Sequence, residues 1–406
     1  GTTVQIRLGG QRIDDPEGAI VSGTGVEARL LSYQRQLNVQ EVAILREQLR
    51  ILRKQARDRK KAKKELDATT QMIIDNIEQR MAAWENRPAN RSVVNLAFVE
   101  VAVAPDAEPG PREIRLVTRM GVTNPLPFYV SQYPESSRKP MKTCQVPVLG
   151  HEEAAERKRP PEEQEVRVSV PCVVNGQVAA GEVNHYRFEA KKGQRLVLRA
   201  YARDLIPYIA DAVPGWFQAV MTLYDARGRE VAYSDVYRFK PDPVIRYEAP
   251  EDGEYVVTIS DALFRGREDF VYRISIAESP FVTSIFPLGG RVGDSPAVDI
   301  SGWNLDDAKV LLPPADAGPG IHFVTAATKG RVSNRVPFAL DTLPEVFEEE
   351  ANNDRGRAQQ TVLPVIVNGR VDEPGDWDVF QFEGRPARRL SRRSSRGGSI
   401  PRSILS

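Results

Sequence analysis

The sequence predicts an all-β chain of tandem β-sandwich modules carrying one inserted α-helical hairpin. Three observations predict it. Short stretches with period-two apolar alternation recur between turn signals. One long stretch without Gly or Pro repeats its apolar residues at helical spacing, and two kinds of segment each occur twice along the chain.

The strands are clearest between 166 and 279. In "DFVYRISIAE" Phe270, Tyr272, Ile274 and Ile276 share one face; in "EYVVTISD" Tyr255, Val257 and Ile259 do; in "AVMTLYD" Ala219, Met221 and Leu223 do. "AKKGQ", "DARGRE" and "PEDGE" separate such runs with turn residues. Several short strands at this spacing predict a β-sandwich. Thirty prolines and 29 glycines fit that mainly β reading.

The helical stretch runs from Val39 to Glu85, with apolar residues at 42, 45, 49 and 52, then at 66, 73, 77, 81 and 84. A single helix of that length reaches roughly 70 Å at 1.5 Å per residue. Its ends would lie too far apart to rejoin the flanking β segments. An antiparallel hairpin turning within "DRKKAKKE" removes the difficulty, with the basic turn as a solvated tip.

The repeats set the domain order. "GTTVQIRLGGQRIDDPEGAIV" from Gly1 resembles "GDSPAVDISGWNLDDAKVLL" from Gly293, and "PGPREIRLVTRMGVTNPLPFYVSQYPE" resembles "PGIHFVTAATKGRVSNRVPFALDTLPE". "VNGQVAAGEVNHYRFEA" (174–190) matches "VNGRVDEPGDWDVFQFEG" (367–384) with a one-residue gap. The expected organisation is a first small module over 1–135 with its hairpin insertion at about 37–90, a linker over 136–165, a sandwich over 166–279, a second small module over 280–345 and a truncated second sandwich over 346–385. Two or three strands without their partner sheet bury little core, so this last module is expected to be marginal.

Residues 386–406 depart from the repeat. From Arg385 the chain carries seven arginines and no acid, and its alternation is gone. Where the first copy reads "FEAKKGQRLVLRAYARDL", the second reads "FEGRPARRLSRRSSRGG". One choice of GC-rich codons for the tail, read two nucleotides on, encodes AGEEIVAEVFARRL. Set after "FEGR", this restores the glycine, the Val-containing strand, the aromatic residue and the final Arg and Leu in register. The codons are chosen, so the match is partly selected. The tail is therefore expected to be a frameshifted or disordered end rather than a nucleic-acid arm. No aromatic residue stands among the arginines to stack on bases.

The formal net charge of +1 marks no overall field for nucleic acid or membrane, and no run of about 18 apolar residues exists to span a bilayer. The chain opens on Gly1 with no signal-peptide pattern, which suggests an internal fragment whose preceding part could hold an export signal. Cys144 and Cys172 flank the linker; a disulfide in an oxidising compartment and two free thiols stand equal, and their spacing fits no zinc site.

On "VNGQVAAGEVNHYRFEAKKGQRL", "LYDARGREV" and "APEDGEYVVTIS", and again on "EEEANNDRGRAQ" and "VNGRVDEPGDWDVFQFEG", the sandwich modules resemble the bacterial pre-peptidase C-terminal (PPC) domain. The resemblance implies a jelly-roll-like sandwich of exported proteins. The small modules resemble immunoglobulin-like (TIG-type) domains. Together these resemblances imply export, with a secreted, periplasmic or cell-surface location. They also imply binding or spacing rather than catalysis, toward a protein or polysaccharide at the cell surface and not toward nucleic acid. The alternative is an accessory region of a secreted peptidase whose catalytic domain lies outside this stretch.

Chemistry-bearing motifs are sparse. His151, His185 and His322 are the only histidines; no G-x-S-x-G elbow, H-E-x-x-H helix or phosphate-cradling glycine loop occurs, so no catalytic residue is assigned. "EEEANND" (348–354) precedes "DEPGDWD" (372–378), and calcium takes several oxygen ligands from such turns. Some collagen-binding modules related to the PPC family hold calcium with an E-x-E-x-N-[ND] segment and later aspartates. The resemblance thus implies Glu348, Glu350, Asn352 and Asn353 as ligands, with Asp376 or Asp378 completing the site. Asn353 in place of an aspartate lowers the ligand charge. The competing reading is a solvated acidic linker with Asx turns. Trp216 and Phe217 in "PGWFQ" are candidates for an aromatic ligand-binding patch, against the alternative that they belong to a sandwich core.

Overall fold

The computed structural model describes residues 1–62, 66–84, 90–141, 159–206, 216–238 and 240–384. The chain is mainly β and forms tandem β-sandwich modules. It divides into two compact units, 1–194 with 198–277, and 195–197 with 278–406.

The first unit opens with a small module. Its strand Asn95–Val103 lies between Thr2–Gly10 and Val26–Gln34, both antiparallel to it. The alternate residues Ala97, Val99 and Val101 are fully buried against Ile114 and Leu116 of the facing sheet. Alternation of this kind is what one apolar sheet face requires.

The α-helical hairpin leaves this module between Val26–Gln34 and Asn95–Val103. Its first helix, Val39–Lys61, starts in a capping box: Asn38 Oδ1 accepts from Glu41 N and Glu41 Oε2 accepts from Asn38 N, both at 2.8 Å. The second helix, Ala68–Ala83, is capped by Asp67, which accepts from Thr70 N. Leu49, Ile74 and Ile77 form the buried seam, with Leu45, Leu52, Ala56, Leu66 and Met81 beside it. Ile73, expected on that seam, is exposed, and Ile74 takes its place. The helix restarts at Ala68, so the phase carried on from Leu66 does not apply within it. Part of the expected turn, residues 63–65, lies outside the described residues.

The sandwich of the first unit has two five-stranded sheets. One runs Val244–Glu248, Arg195–Tyr201, Val271–Ala277, Cys172–Gln177, Glu135–Ser137; the other runs Glu230–Ser234, Ala219–Tyr224, Gly253–Asp261, Asn184–Ala190, Glu165–Arg167. It takes in more chain than the expected 166–279. Glu135–Ser137 and Glu165–Arg167, at the two ends of the expected linker, each add an edge strand in parallel. Tyr255, Val257, Ile259, Tyr272, Ile274, Ile276, Met221 and Leu223 all turn into the buried space between the sheets. Cys172 is a buried free thiol whose pKa burial pushes up to about 11. Cys144 lies outside the described residues.

The second unit pairs Phe281–Phe286 with Asp299–Trp303, and sets Gly289–Arg291, Val336–Asp341, Gly320–Thr328 and Lys309–Leu311 side by side. Val282, Ile285, Val324, Ala326, Phe338 and Leu340 fill its core. Two short parallel pairs follow: Glu345–Phe347 with Ile366–Asn368, and Gln359–Thr361 with Phe380–Phe382. The tail 386–406 lies outside the described residues. Among the described residues no helix is long and apolar enough to cross a membrane.

Candidate cation site

Glu348 directly follows the strand Glu345–Phe347, and its N–H donates to Asn368 O at 2.9 Å. Its carboxylate turns back over the partner strand, where Oε2 accepts from Arg370 N at 2.7 Å. Gly369 makes room for it, since a Cβ there would meet Glu348 Oε2 at 2.7 Å. Asn352 carries the next turn. Its N–H donates to Glu350 Oε2 at 3.3 Å, its Nδ2 donates to Glu348 Oε1 at 3.3 Å, and its carbonyl accepts from Val379 N at 3.2 Å. That last bond brings Asp378 alongside the two glutamates.

The result is three carboxylates, Glu348, Glu350 and Asp378, with one oxygen of each within 4.8 Å of the others. Glu348 is half-buried and the other two are exposed. Like charges this close disfavour full ionisation. A hydrogen bond with Glu348 and then burial, with repulsion from Glu348, Asp376 and Glu350 added, push the Asp378 carboxyl up to about 6. Beside them Asn352 is only 1 % exposed, and its Oδ1 has no hydrogen-bond partner. A buried carbonyl oxygen without a donor costs free energy unless something positive meets it. Three acidic oxygens form an all-oxygen set suited to a hard cation such as calcium, and Asn352, tied through Nδ2 to Glu348, stands beside it.

Four of the six residues suggested by sequence therefore lie together: Glu348, Glu350, Asn352 and Asp378. The other two pair with each other. In the orientation that satisfies both of its atoms, the Asn353 amide nitrogen donates to Asp376 Oδ1 and to Trp377 O, both at 2.9 Å. Asp376 Oδ2 in turn accepts from Asp372 N at 2.8 Å. Both side chains thus hold the turn 372–378 rather than joining the carboxylates. Sequence reasoning missed the backbone donor of Arg370 and the space left at Gly369; the shared "VNG" of the two copies pointed to that segment.

The expected aromatic patch does not form. Phe217 is buried, stacked on Phe270 at 5.3 Å between centroids and tilted against Tyr272, so it belongs to the core; Trp216 alone is exposed. Of the histidines, His322 bonds Gly318 O at 2.8 Å and His185 sits on the strand Asn184–Ala190. His151 lies outside the described residues.

No family model matches the chain, and no curated protein matches it. Solved structures do. The pre-peptidase C-terminal domain of collagenase from Bacillus anthracis is similar at 13% identity and a TM-score of 0.21, over 29% of this chain and 98% of that one. PliG, a periplasmic inhibitor of g-type lysozyme from Aeromonas hydrophila, is similar at 13% identity and a TM-score of 0.19, over 28% of this chain and 97% of that one. The secreted serine protease VesC from Vibrio cholerae is similar at 9% identity and a TM-score of 0.19, over 46% of this chain and 36% of that one.

Proposed function

We propose that this chain is a non-catalytic binding or spacing region of an exported modular protein, and that its second sandwich module binds calcium through Glu348, Glu350, Asn352 and Asp378. One observation carries the calcium reading: three carboxylates converge within 4.8 Å beside the buried, unpartnered Oδ1 of Asn352. A cation offsets the repulsion among the acids. The binding role follows the PPC resemblance of the sandwich motifs, and the surface ligand is a protein or polysaccharide.

Terbium luminescence on the full chain tests the site, because Trp377 adjoins Asp378 and serves as the sensitiser. Terbium is expected to bind saturably, to be displaced by calcium, and to lose its signal in a Glu348→Gln, Asp378→Asn variant. A folded wild-type chain that gives no saturable signal, or a variant that binds as well as wild type, overturns the reading.

A further inference from the structure

Strand pairing sets the residues of the two sandwich modules in correspondence. Glu135 stands opposite Val173 in the first and Glu345 opposite Ile366 in the second, so "PESSRKP" (134–140) corresponds to "PEVFEEE" (344–350). The backbone agrees: Arg138 N donates to Asn175 O at 2.8 Å, as Glu348 N does to Asn368 O at 2.9 Å. Val166 stands opposite Tyr186, and Gln359 opposite Phe380. Seven residues before each, Arg159 takes the place of Asn352. Asn184, two residues before Tyr186, takes that of Asp378.

The charge at these positions is inverted. Arg138 and Lys139 stand where the second module has Glu348 and Glu349, Arg159 stands where it has Asn352, and the neutral Asn184 replaces Asp378. Arg159 and Asn184 are buried, as Asn352 is.

Both arginines tie the first module together from inside. Arg159 Nε donates to Glu182, and its Nη1 donates to Lys139 O at 2.7 Å and lies 3.8 Å from Glu163 Oε2. Arg138 Nη2 donates to the carbonyls of Glu163 and Gln164, and its Nη1 reaches His185 O at 3.5 Å. Three segments are thereby joined: the end of Glu135–Ser137, the turn before Glu165–Arg167, and the approach to Asn184–Ala190. In the second module the corresponding segments carry Glu348 and Glu350, Asn352, and Asp378. Asn352 is already bonded to Glu348 Oε1 and to Val379 N, while the three carboxylates repel one another until a cation joins them. A guanidinium keeps its charge at any physiological pH and needs no metal.

We propose that Arg138 and Arg159 do for the first sandwich what calcium does for the second, so that one module is independent of the metal and the other is switched by it. The inference rests on the calcium reading of Glu348, Glu350 and Asp378. The first sandwich is then a fixed platform at any calcium concentration. Calcium acts on the chain through 345–384 alone, where it orders the two short strand pairs.

Amide exchange of the full chain, in calcium and in a chelator, is the first test. Calcium is expected to slow 359–361, 366–368 and 380–382 by about tenfold or more and to leave 165–167, 172–177 and 184–190 unchanged. Protection of both modules overturns this inference alone; protection of neither overturns it together with the calcium reading. The second test exchanges the charges of the first module in an Arg138→Glu, Arg159→Asn, Asn184→Asp variant of the full chain. Glu163 and Glu182 then lose their guanidinium and face added acids. Without calcium, exchange at 165–167 and 184–190 is expected to rise by about tenfold or more, and calcium is expected to restore most of the lost protection. A variant in which calcium changes nothing at these strands overturns the proposal.

Discussion

The Tyr186 and Tyr272 hydroxyls meet at 2.6 Å in the centre of the first sandwich, their rings edge-on with centroids 6.4 Å apart. Tyr186 stands on Asn184–Ala190 of one sheet and Tyr272 on Val271–Ala277 of the other, so this bond ties the two sheets together through their core. Both rings are buried, and burial raises both phenol pKa values, which keeps the pair neutral.

Removing one hydroxyl strands the other. Tyr186→Phe and Tyr272→Phe are therefore each expected to cost about 1–2 kcal/mol, with the double variant below the sum of the singles. Denaturant unfolding of the three variants measures this. Additive losses would show that the two hydroxyls do not act as a pair.

Gly176 exists for the same tyrosine. It lies opposite Tyr272 across the strand pair, and a Cβ there would sit 2.3 Å from Tyr272 Oη and 2.4 Å from its ring carbon. Gly176→Ala is expected to destabilise the sandwich by about 1–3 kcal/mol, the range for overpacking. Combining it with Tyr272→Phe relieves part of the clash, so the pair should be less than additive. Unchanged stability in Gly176→Ala would contradict this packing.

In the helical hairpin, Leu49 packs between Ile74 and Ile77, and the Arg53–Glu78 ion pair at 2.8 Å flanks the seam on the exposed side. Exposed pairs add little, so the seam holds the hairpin. Leu49→Ala is expected to cost about 2–3 kcal/mol. Because the hairpin is a local unit, amide exchange should rise across 39–61 and 68–83 and leave 253–261 unchanged. Acceleration spread evenly over the first unit would instead make hairpin and sandwich one cooperative block.

The sandwich core was legible because period two leaves little freedom: Tyr272, Ile274 and Ile276 are buried as their alternation demands, and so are Tyr255, Val257 and Ile259. The helix faces were legible only within each helix, which is why Ile73 was expected where Ile74 packs. The acidic motif marked the right segment, but not which oxygens converge. That choice rests on long-range bonds, Val379 N to Asn352 O and Arg370 N to Glu348 Oε2, which local spacing does not encode. The edge strands Glu135–Ser137 and Glu165–Arg167 escaped notice for a related reason. They are short and largely polar, and parallel pairing with a distant strand leaves no periodic trace.

The raised Asp378 carboxyl gives the cation site a pH dependence of definite sign. Without a cation the folded chain holds this proton up to about pH 6, against an ordinary value of 3.8. Its contribution to stability is present below the ordinary value and lost as pH rises through about 6. Calcium needs the carboxylate, so binding must displace the proton shared with Glu348. Affinity is expected to be flat above that pH and to fall by up to about tenfold per unit below it, with proton release in the sloping range. Asp378→Asn removes the titrating group, so its weaker binding should lose most of this slope. Calcium titrations at neutral and mildly acidic pH, in buffers of different ionisation enthalpy, read both affinity and proton release. An affinity that stays constant as pH falls well below 6 would mean that Asp378 does not contact the cation.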